Sequence, residues 1–189
     1  MSNLLRDRRT AAEWASVGQV IDIAEKISSF EHLAGIVEAD LAVLDPDKLP
    51  SAWRDGVVAG QLRFGFADGN VRVATVTGHA TAAVSAVCQR CLEPFQLTLN
   101  VAPQLLLLDE QETPDGYEDF EAWELTEEML RPQDIIEELL IMALPFSATH
   151  DDMADCKAFS TEQESTGKIV RPFAALRSQM QRIEMDPDE

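Results

Sequence analysis

Three cysteines and one histidine are the residues best suited to chemistry, and they lie in two separate parts of the chain. Cys88 and Cys91 have C-x-x-C spacing, in which a tight turn can direct two thiolates at one tetrahedral zinc ion. A closed structural zinc site needs two more ligands. His150 and Cys156 follow in a polar segment that gives neither side chain a reason to pack. The four residues form a candidate Cys3His site, which would hold one structural Zn²⁺.

The same residues leave three alternatives open. Cys88 and Cys91 could be ordinary reduced thiols without a ligand. They could also be a redox-active dithiol. Thioredoxin-like chemistry requires such a pair at the start of a helix, after a strand of a βαβ unit, and the sequence around Cys88 and Cys91 does not have this pattern. Finally, His150 could be an isolated surface residue.

Other catalytic signatures are missing from the sequence. It contains no P-loop, no dinucleotide-binding glycine loop, no H-E-x-x-H and no G-x-S-x-G. His32 and His79 have no catalytic neighbours in sequence, and a catalytic role for Glu137 or Glu138 is not favoured. We therefore predict a binding protein that is not an enzyme.

The composition indicates an acidic domain with a substantial core. The 189 residues are 46% hydrophobic and carry a formal net charge of -19, which repels RNA at long range and favours a basic protein as direct partner. The sequence shows neither a spanning apolar run nor a signal peptide, and its odd number of cysteines does not suit a disulfide-stapled secreted scaffold. We predict a cytoplasmic protein outside the membrane.

Hydrophobic periodicity predicts the elements that position the cysteines. A strand is expected from Val20, with Asp22 capping a helix over 24–33 that buries Ile27, Phe30 and Leu33. A hairpin is expected with a two-residue turn at 68–69, which pairs Phe64 with Val73 and places Arg63 and Arg72 together on the solvent face.

Strands over 81–87 and 95–101 are expected to flank the cysteine pair, and Leu105–Leu108 is a fifth candidate. Residues 109–128 contain ten acidic residues and no lysine or arginine, which predicts an acidic loop that Trp123 and Leu125 attach to the sheet. A helix is predicted from Pro132 until Pro145. Residues 1–17 are predicted to be a flexible arm, 18–180 a single domain and 181–189 a disordered acidic tail.

Together these elements predict an α+β fold. An antiparallel sheet or partly open barrel of about five to six strands would pack against one or two helices and carry the long acidic loop.

Four segments in this order resemble the YceD-like family of large ribosomal RNA subunit accumulation proteins. They are the hairpin leading into Cys-Gln-Arg-Cys-Leu-Glu-Pro-Phe, the helix ending in Pro145, the His150 to Cys156 segment, and Arg-Pro-Phe-Ala-Ala-Leu at 171–176. The resemblance spans about residues 18 to 180. This chain has Arg171 where the family usually has asparagine, and it lacks the second, cysteine-richer cluster of some relatives.

The resemblance implies a non-enzymatic factor for accumulation of 23S ribosomal RNA and ribosome assembly. It would bind a pre-50S particle or a basic ribosomal protein. The sequence predicts neither a direct contact with RNA nor an oligomeric state. Candidate partner-binding residues are Arg63, Arg72, Arg90, Pro172 and Phe173, and Arg54 would lie on the same basic face. The alternatives are an acidic escort for a free ribosomal protein and a zinc-dependent or thiol-dependent RNA-processing enzyme.

Overall fold

An open, six-stranded mixed sheet lies at the centre of the fold. The computed structural model describes residues 3–67, 72–108 and 116–156. In spatial order the sheet contains β2 (Val20–Lys26), β3 (Val57–Phe66), β4 (Ala74–Val87), β6 (Gln104–Leu108) and β7 (Glu121–Glu124), and β5 (Pro94–Val101) also pairs with β4. β1 (Arg9–Thr10) and β8 (Met129–Leu130) form a separate two-stranded pair. The sheet is mostly antiparallel, so the predicted α+β fold is confirmed.

β4 is 14 residues long and ends directly before Cys88, the first cysteine of the chain. β3 pairs with one edge of β4, and β5 and β6 pair with the other. β5 and β6 pair with β4 in the same register, and the chain between them is interrupted at Pro103. The carbonyl of Pro103 accepts a hydrogen bond from the N–H of Gly78. Any Cβ at Gly78 would lie 2.1 Å from the carbonyl oxygen of Gln61, so this close approach requires glycine.

The β3–β4 hairpin exists, but its predicted register is wrong by three residues. Phe64 lies opposite Val76 and not opposite Val73, because the connection is longer than a two-residue turn. An odd shift moves side chains to the other face of a sheet. Accordingly, Val76 packs in the main core with Phe64, whereas Val73 belongs to a second cluster. The strands predicted on either side of residue 78 are both part of β4.

The described part of the predicted flexible arm, residues 3–17, is instead folded. α1 (Ala11–Val17) begins with a capping box, in which the Thr10 hydroxyl accepts from the N–H of Glu13 and the Glu13 carboxylate accepts from the N–H of Thr10. This reciprocal pair satisfies backbone groups that a helix start otherwise leaves unpaired.

Trp14 explains why the N-terminal segment is held in place. Its side chain is fully buried, and its ring stacks on Phe64 with 5.3 Å between the centroids. Leu5 is also buried in the main core. The segment therefore contributes to the core, while the predicted domain boundary at residue 18 stays a prediction.

β2 runs through Lys26, so the helix predicted over 24–33 is wrong. Seven residues of β2 pair with β3, and these backbone hydrogen bonds keep the chain extended where Asp22 was expected to start a helix. A 3-10 turn follows, and α2 begins at Glu31 and ends at Leu41. The three side chains predicted to share the buried face, Ile27, Phe30 and Leu33, are all fully buried.

α3 (Pro132–Met142) confirms the predicted helix before Pro145, and it buries Ile135, Ile136, Leu139 and Leu140. Before α3, β7 pairs in parallel with β6, so part of the predicted acidic loop is a strand. Trp123 and Leu125 pack against the main core, as predicted. None of the helices in the described ranges is long and apolar enough to cross a membrane.

The four consecutive leucines of β6 are buried from both sides of the sheet. Leu105 and Leu107 belong to the main core, and Leu106 and Leu108 belong to a second cluster with Val73 and Tyr117. Alternating side chains of a strand face opposite sides, so an unbroken apolar run fits a strand covered on both faces. The predicted fifth strand is confirmed.

Candidate metal centre

Cys88 and Cys91 lie in the turn that joins β4 to β5, which is the predicted strand–turn–strand placement. The N–H of Leu92 donates to the carbonyl of Cys88 at 2.8 Å, and the N–H of Cys88 donates to the carbonyl of Glu93 at 3.0 Å. Leu92 has a left-handed φ of 58°, which reverses the chain directly after the second cysteine. The pair does not begin a helix, so the placement typical of thioredoxin-like dithiols is not found.

The segment after α3 is attached to this turn by backbone contacts. The N–H of Gln89 donates to the carbonyl of Ala148 at 2.8 Å, and the guanidinium of Arg90 donates to the carbonyl of His150 at 2.5 Å. The imidazole of His150 lies beside the ring of Phe95, with 4.8 Å between the centroids. These contacts hold His150 over the turn.

Cys156 reaches the same place from a short 3-10 turn, Met153–Asp155. The side chain of Asp152 caps this turn by accepting a hydrogen bond from the N–H of Ala154. The structure therefore brings together all four residues that the sequence singled out, and His150 is not an isolated surface residue.

The four donor atoms lie close enough together to share one metal ion. They all lie within 4.8 Å of one another. The Sγ atoms of Cys88 and Cys156 are 3.8 Å apart, and Nδ1 of His150 lies 3.6 Å from Sγ of Cys91 and 3.4 Å from Sγ of Cys156. Zinc–sulfur bonds of about 2.3 Å and zinc–nitrogen bonds of about 2.0 Å place the donors of a tetrahedron roughly 3.5 to 3.8 Å apart. The residues present fit zinc.

The cluster is closed to solvent on its cysteine side. Cys88 is 0% exposed, Cys156 is 1% exposed and Cys91 is 7% exposed, whereas His150 is half-buried. Structural zinc sites have four protein ligands, while catalytic sites keep a position open for water or substrate. Four protein donors in a buried pocket are therefore typical of a structural centre.

The thiols of Cys88 and Cys156 have different surroundings. Burial tends to raise the pKa of Cys88, but hydrogen bonds from the backbone N–H groups of Cys91, His150 and Arg90 outweigh it and lower that pKa to about 5. Burial, together with the neighbouring thiols of Cys88 and Cys91, raises the pKa of Cys156 to about 11. The turn thus presents Cys88 as a thiolate, the form that binds metal.

A side chain that sequence reasoning missed supports the end of β4. The carboxylate of Asp40, in α2, accepts a hydrogen bond from the N–H of Val87 at 2.8 Å, directly before Cys88. Pro94, the partner of Val87 in β5, has no N–H to donate to the carbonyl of Val87, and that carbonyl instead accepts from the side-chain amide of Gln89 at 3.4 Å. Asp40 satisfies the N–H of Val87 from outside the sheet, and no local pattern in the sequence indicates this contact.

The predicted basic face is not assembled as expected. The guanidinium of Arg72 lies 3.9 Å above the ring of Phe66, which packs on the main-core side, whereas the alternation of β3 places Arg63 on the opposite side. Arg90 is engaged with His150, and Arg54 forms an ion pair with Glu38. Pro172 and Phe173, like the predicted tail at 181–189, lie outside the described residues.

The fold and the site define an α+β protein whose β4–β5 hairpin carries a Cys3His cluster at its turn. The family model described as large ribosomal RNA subunit accumulation protein YceD matches residues 76–178, which include β4 from Val76 onward and all four donor residues. The chain belongs to the YceD family. No solved structure matches the chain.

Proposed function

We propose that this protein is a non-enzymatic cytoplasmic factor for the accumulation of large-subunit ribosomal RNA. It acts in ribosome assembly by binding a pre-50S particle or a ribosomal protein. The observation that carries the proposal is the match to the family of large ribosomal RNA subunit accumulation proteins. The four-donor cluster supports the non-enzymatic part, because four protein ligands are typical of a structural zinc site. Membership of the family supports the connection with ribosomal RNA.

The proposal includes one structural Zn²⁺ held by Cys88, Cys91, His150 and Cys156. Thiolate and imidazole ligands suit zinc, and three of the distances between the donors, 3.4, 3.6 and 3.8 Å, are close to those of a tetrahedron. The ion would hold the segment after α3 against the β4–β5 turn. Its contribution is to the shape of the binding protein and not to a reaction.

The charge of the chain supports a protein as direct partner. A net charge of -19 repels the phosphates of RNA and attracts a protein that carries many positive charges. Contact with a pre-ribosomal particle would then be made through a ribosomal protein.

Sedimentation tests the proposed function. In growing cells, a tagged copy is expected to migrate with pre-50S particles on a sucrose gradient, and its removal is expected to reduce 23S ribosomal RNA relative to 16S. A tagged copy that stays at the top of the gradient would contradict the proposal.

The acidic segment from Asp109 to Glu128 favours a second candidate, an escort for a free, basic ribosomal protein. It contains ten acidic residues and no basic residue, so it can imitate the polyanion that such a partner normally binds. An escort would give a pull-down that resists nuclease, weakens with salt and is lost when this segment is neutralised. Unchanged binding after neutralisation would exclude this candidate.

A further inference from the structure

A groove of about 860 Å³ lies on the side of the fold formed by β7, β8 and α3. Its volume falls in the range of cavities that bind small ligands or short segments of a partner, about 300 to 1,000 Å³. None of the four metal-site residues lines it. The groove is therefore a second surface, separate from the candidate metal centre.

The rim of the groove carries negative charge that the fold does not use. Glu121 and Glu124 of β7 and Glu138 of α3 are exposed, and none of them forms an ion pair with another described residue. The two arginines at the groove are already paired, Arg8 with Glu127 and Arg131 with Asp134. The free charge of the rim is thus acidic.

Apolar side chains form the other part of the groove lining. Trp123, Leu125 and Ile141 are half-buried, whereas Met129 is 45% exposed and Met142 is 61% exposed. Flexible methionine side chains adapt to different apolar groups and recur on surfaces that bind peptides. Carboxylates on an edge strand such as β7 also discourage strand pairing between molecules, but that role does not explain the exposed methionines.

We propose that this groove binds a basic amphipathic segment of a protein, in which lysines and arginines flank one or two large apolar side chains. The basic side chains would meet the glutamates of the rim, and the apolar side chains would cover the methionines. RNA carries the same sign of charge as the rim and offers no aliphatic anchor. This inference rests on the proposed function, because it assigns the surface and the chemistry by which a ribosomal partner is bound.

The test uses the full chain and two synthetic peptides of equal length and equal charge. The first peptide contains lysine, arginine and leucine in amphipathic order, and the second has serine in place of every leucine. Calorimetry is expected to show salt-sensitive binding of the first peptide and at least about tenfold weaker binding of the second. Equal affinity for both peptides would overturn the proposal, since the apolar part of the lining would then have no role.

Charge-matched variants locate the site. Glu121→Gln, Glu124→Gln and Glu138→Gln together are expected to weaken binding of the first peptide about tenfold. The control combines Asp22→Asn, Asp45→Asn and Asp47→Asn, three exposed carboxylates outside both the groove and the acidic segment, and is expected to change affinity less than about twofold. Equal weakening in both triple variants, or an RNA oligonucleotide that binds and competes for the groove, would overturn the proposal.

The same variants separate this inference from the proposed function. If wild-type protein and the groove variant sediment equally with pre-50S particles, the groove proposal is wrong and the proposed function stands. If wild-type protein binds the first peptide at the groove but never sediments with particles, the proposed function is wrong and the groove still binds basic segments.

Discussion

Glu137 and Glu138 are neighbours on α3 with opposite surroundings. Glu138 is exposed, whereas Glu137 is buried and accepts hydrogen bonds from the N–H groups of His32, at 2.6 Å, and Leu33, at 3.0 Å. These N–H groups belong to the first turn of α2, where Phe30 at the N-cap position provides no side-chain cap. Glu137 therefore caps α2 from another helix, 104 residues away in sequence.

Replacing Glu137 is expected to destabilise the protein, because the N–H groups of His32 and Leu33 lose their acceptor and that of Leu33 is buried. We expect Glu137→Ala to lower the free energy of unfolding by about 2 to 3 kcal/mol, and Glu137→Gln, which keeps one oxygen, by about 1 kcal/mol. Urea unfolding followed by circular dichroism measures both. Glu138→Gln is the matched control, and it is expected to change stability by less than about 0.5 kcal/mol. An equal effect at the two positions would contradict the capping role.

His150 gives a direct test of the metal centre. Purified wild-type protein is expected to contain about one zinc ion per chain, and His150→Ala is expected to reduce zinc content or retention against a chelator by at least about tenfold. His79→Ala removes an exposed histidine of β4 and serves as control. Elemental analysis of proteins purified side by side provides the measurement. Equal zinc content in the two variants would show that His150 is not a ligand.

At the scale of elements, α1 shows how a short helix becomes part of the core. It has seven residues, too few to be stable alone, and depends on the capping box at its start and on Gly18 at its end, where φ is 61°. The Thr-x-x-Glu pattern at 10–13 is a recognisable sequence signal for such a start. The periodicity that reveals longer helices has no room to repeat in two turns.

Trp14→Ala is expected to destabilise the protein by about 3 to 5 kcal/mol, because it empties a fully buried site next to Phe64. Val17→Ala, on the same helix but 65% exposed, is expected to cost less than about 0.5 kcal/mol. Thermal and urea unfolding of both variants compare the two positions. A small effect of Trp14→Ala would mean that residues 1–17 behave as the flexible arm predicted from the sequence.

Removing the proposed zinc ion is expected to release the segment at 148–156 and to leave the sheet intact. A strong chelator should free this segment from the β4–β5 turn, because only the contacts of Gln89, Arg90 and Phe95 then remain. The sheet should persist, since its strands are held by the core. Limited proteolysis is expected to cut after α3 only in chelated protein, while far-ultraviolet circular dichroism changes little. Cleavage that begins in β3 or β4 would contradict this division.

At the scale of the whole molecule, the net negative charge determines how the proposed binding to ribosomal particles depends on salt. The net charge of -19 attracts basic partners, and dissolved salt screens this attraction. The screening length is about 10 Å at 0.1 M salt and about 3 Å at 1 M. Co-sedimentation with ribosomal particles is therefore expected to fall as salt rises from about 0.05 to 0.5 M. Retention that is independent of salt would indicate that apolar contacts hold the complex.

Much of the fold could be predicted because the relevant patterns are local. α3 and β5 carry their own periodicity, and β6 is an unbroken run of leucines. The cysteine site was predicted because His150 and Cys156 stand in a segment whose sequence is otherwise polar. The β3–β4 register could not be predicted, because it depends on a connection longer than the Asp-Gly signal suggests. The capping role of Glu137 and the support that Asp40 gives to Val87 depend on contacts between distant segments.

The separation of the metal ligands along the chain has a consequence for synthesis. Cys156 follows Cys88 by 68 residues. At about 5 to 20 residues per second, a ribosome that has added the first ligand needs roughly 3 to 14 s to add the last one. During that interval, the β4–β5 hairpin can form while the chain contains only part of the ligand set. The proposed zinc site can therefore be completed only after the ribosome has translated α3 and the segment that follows it.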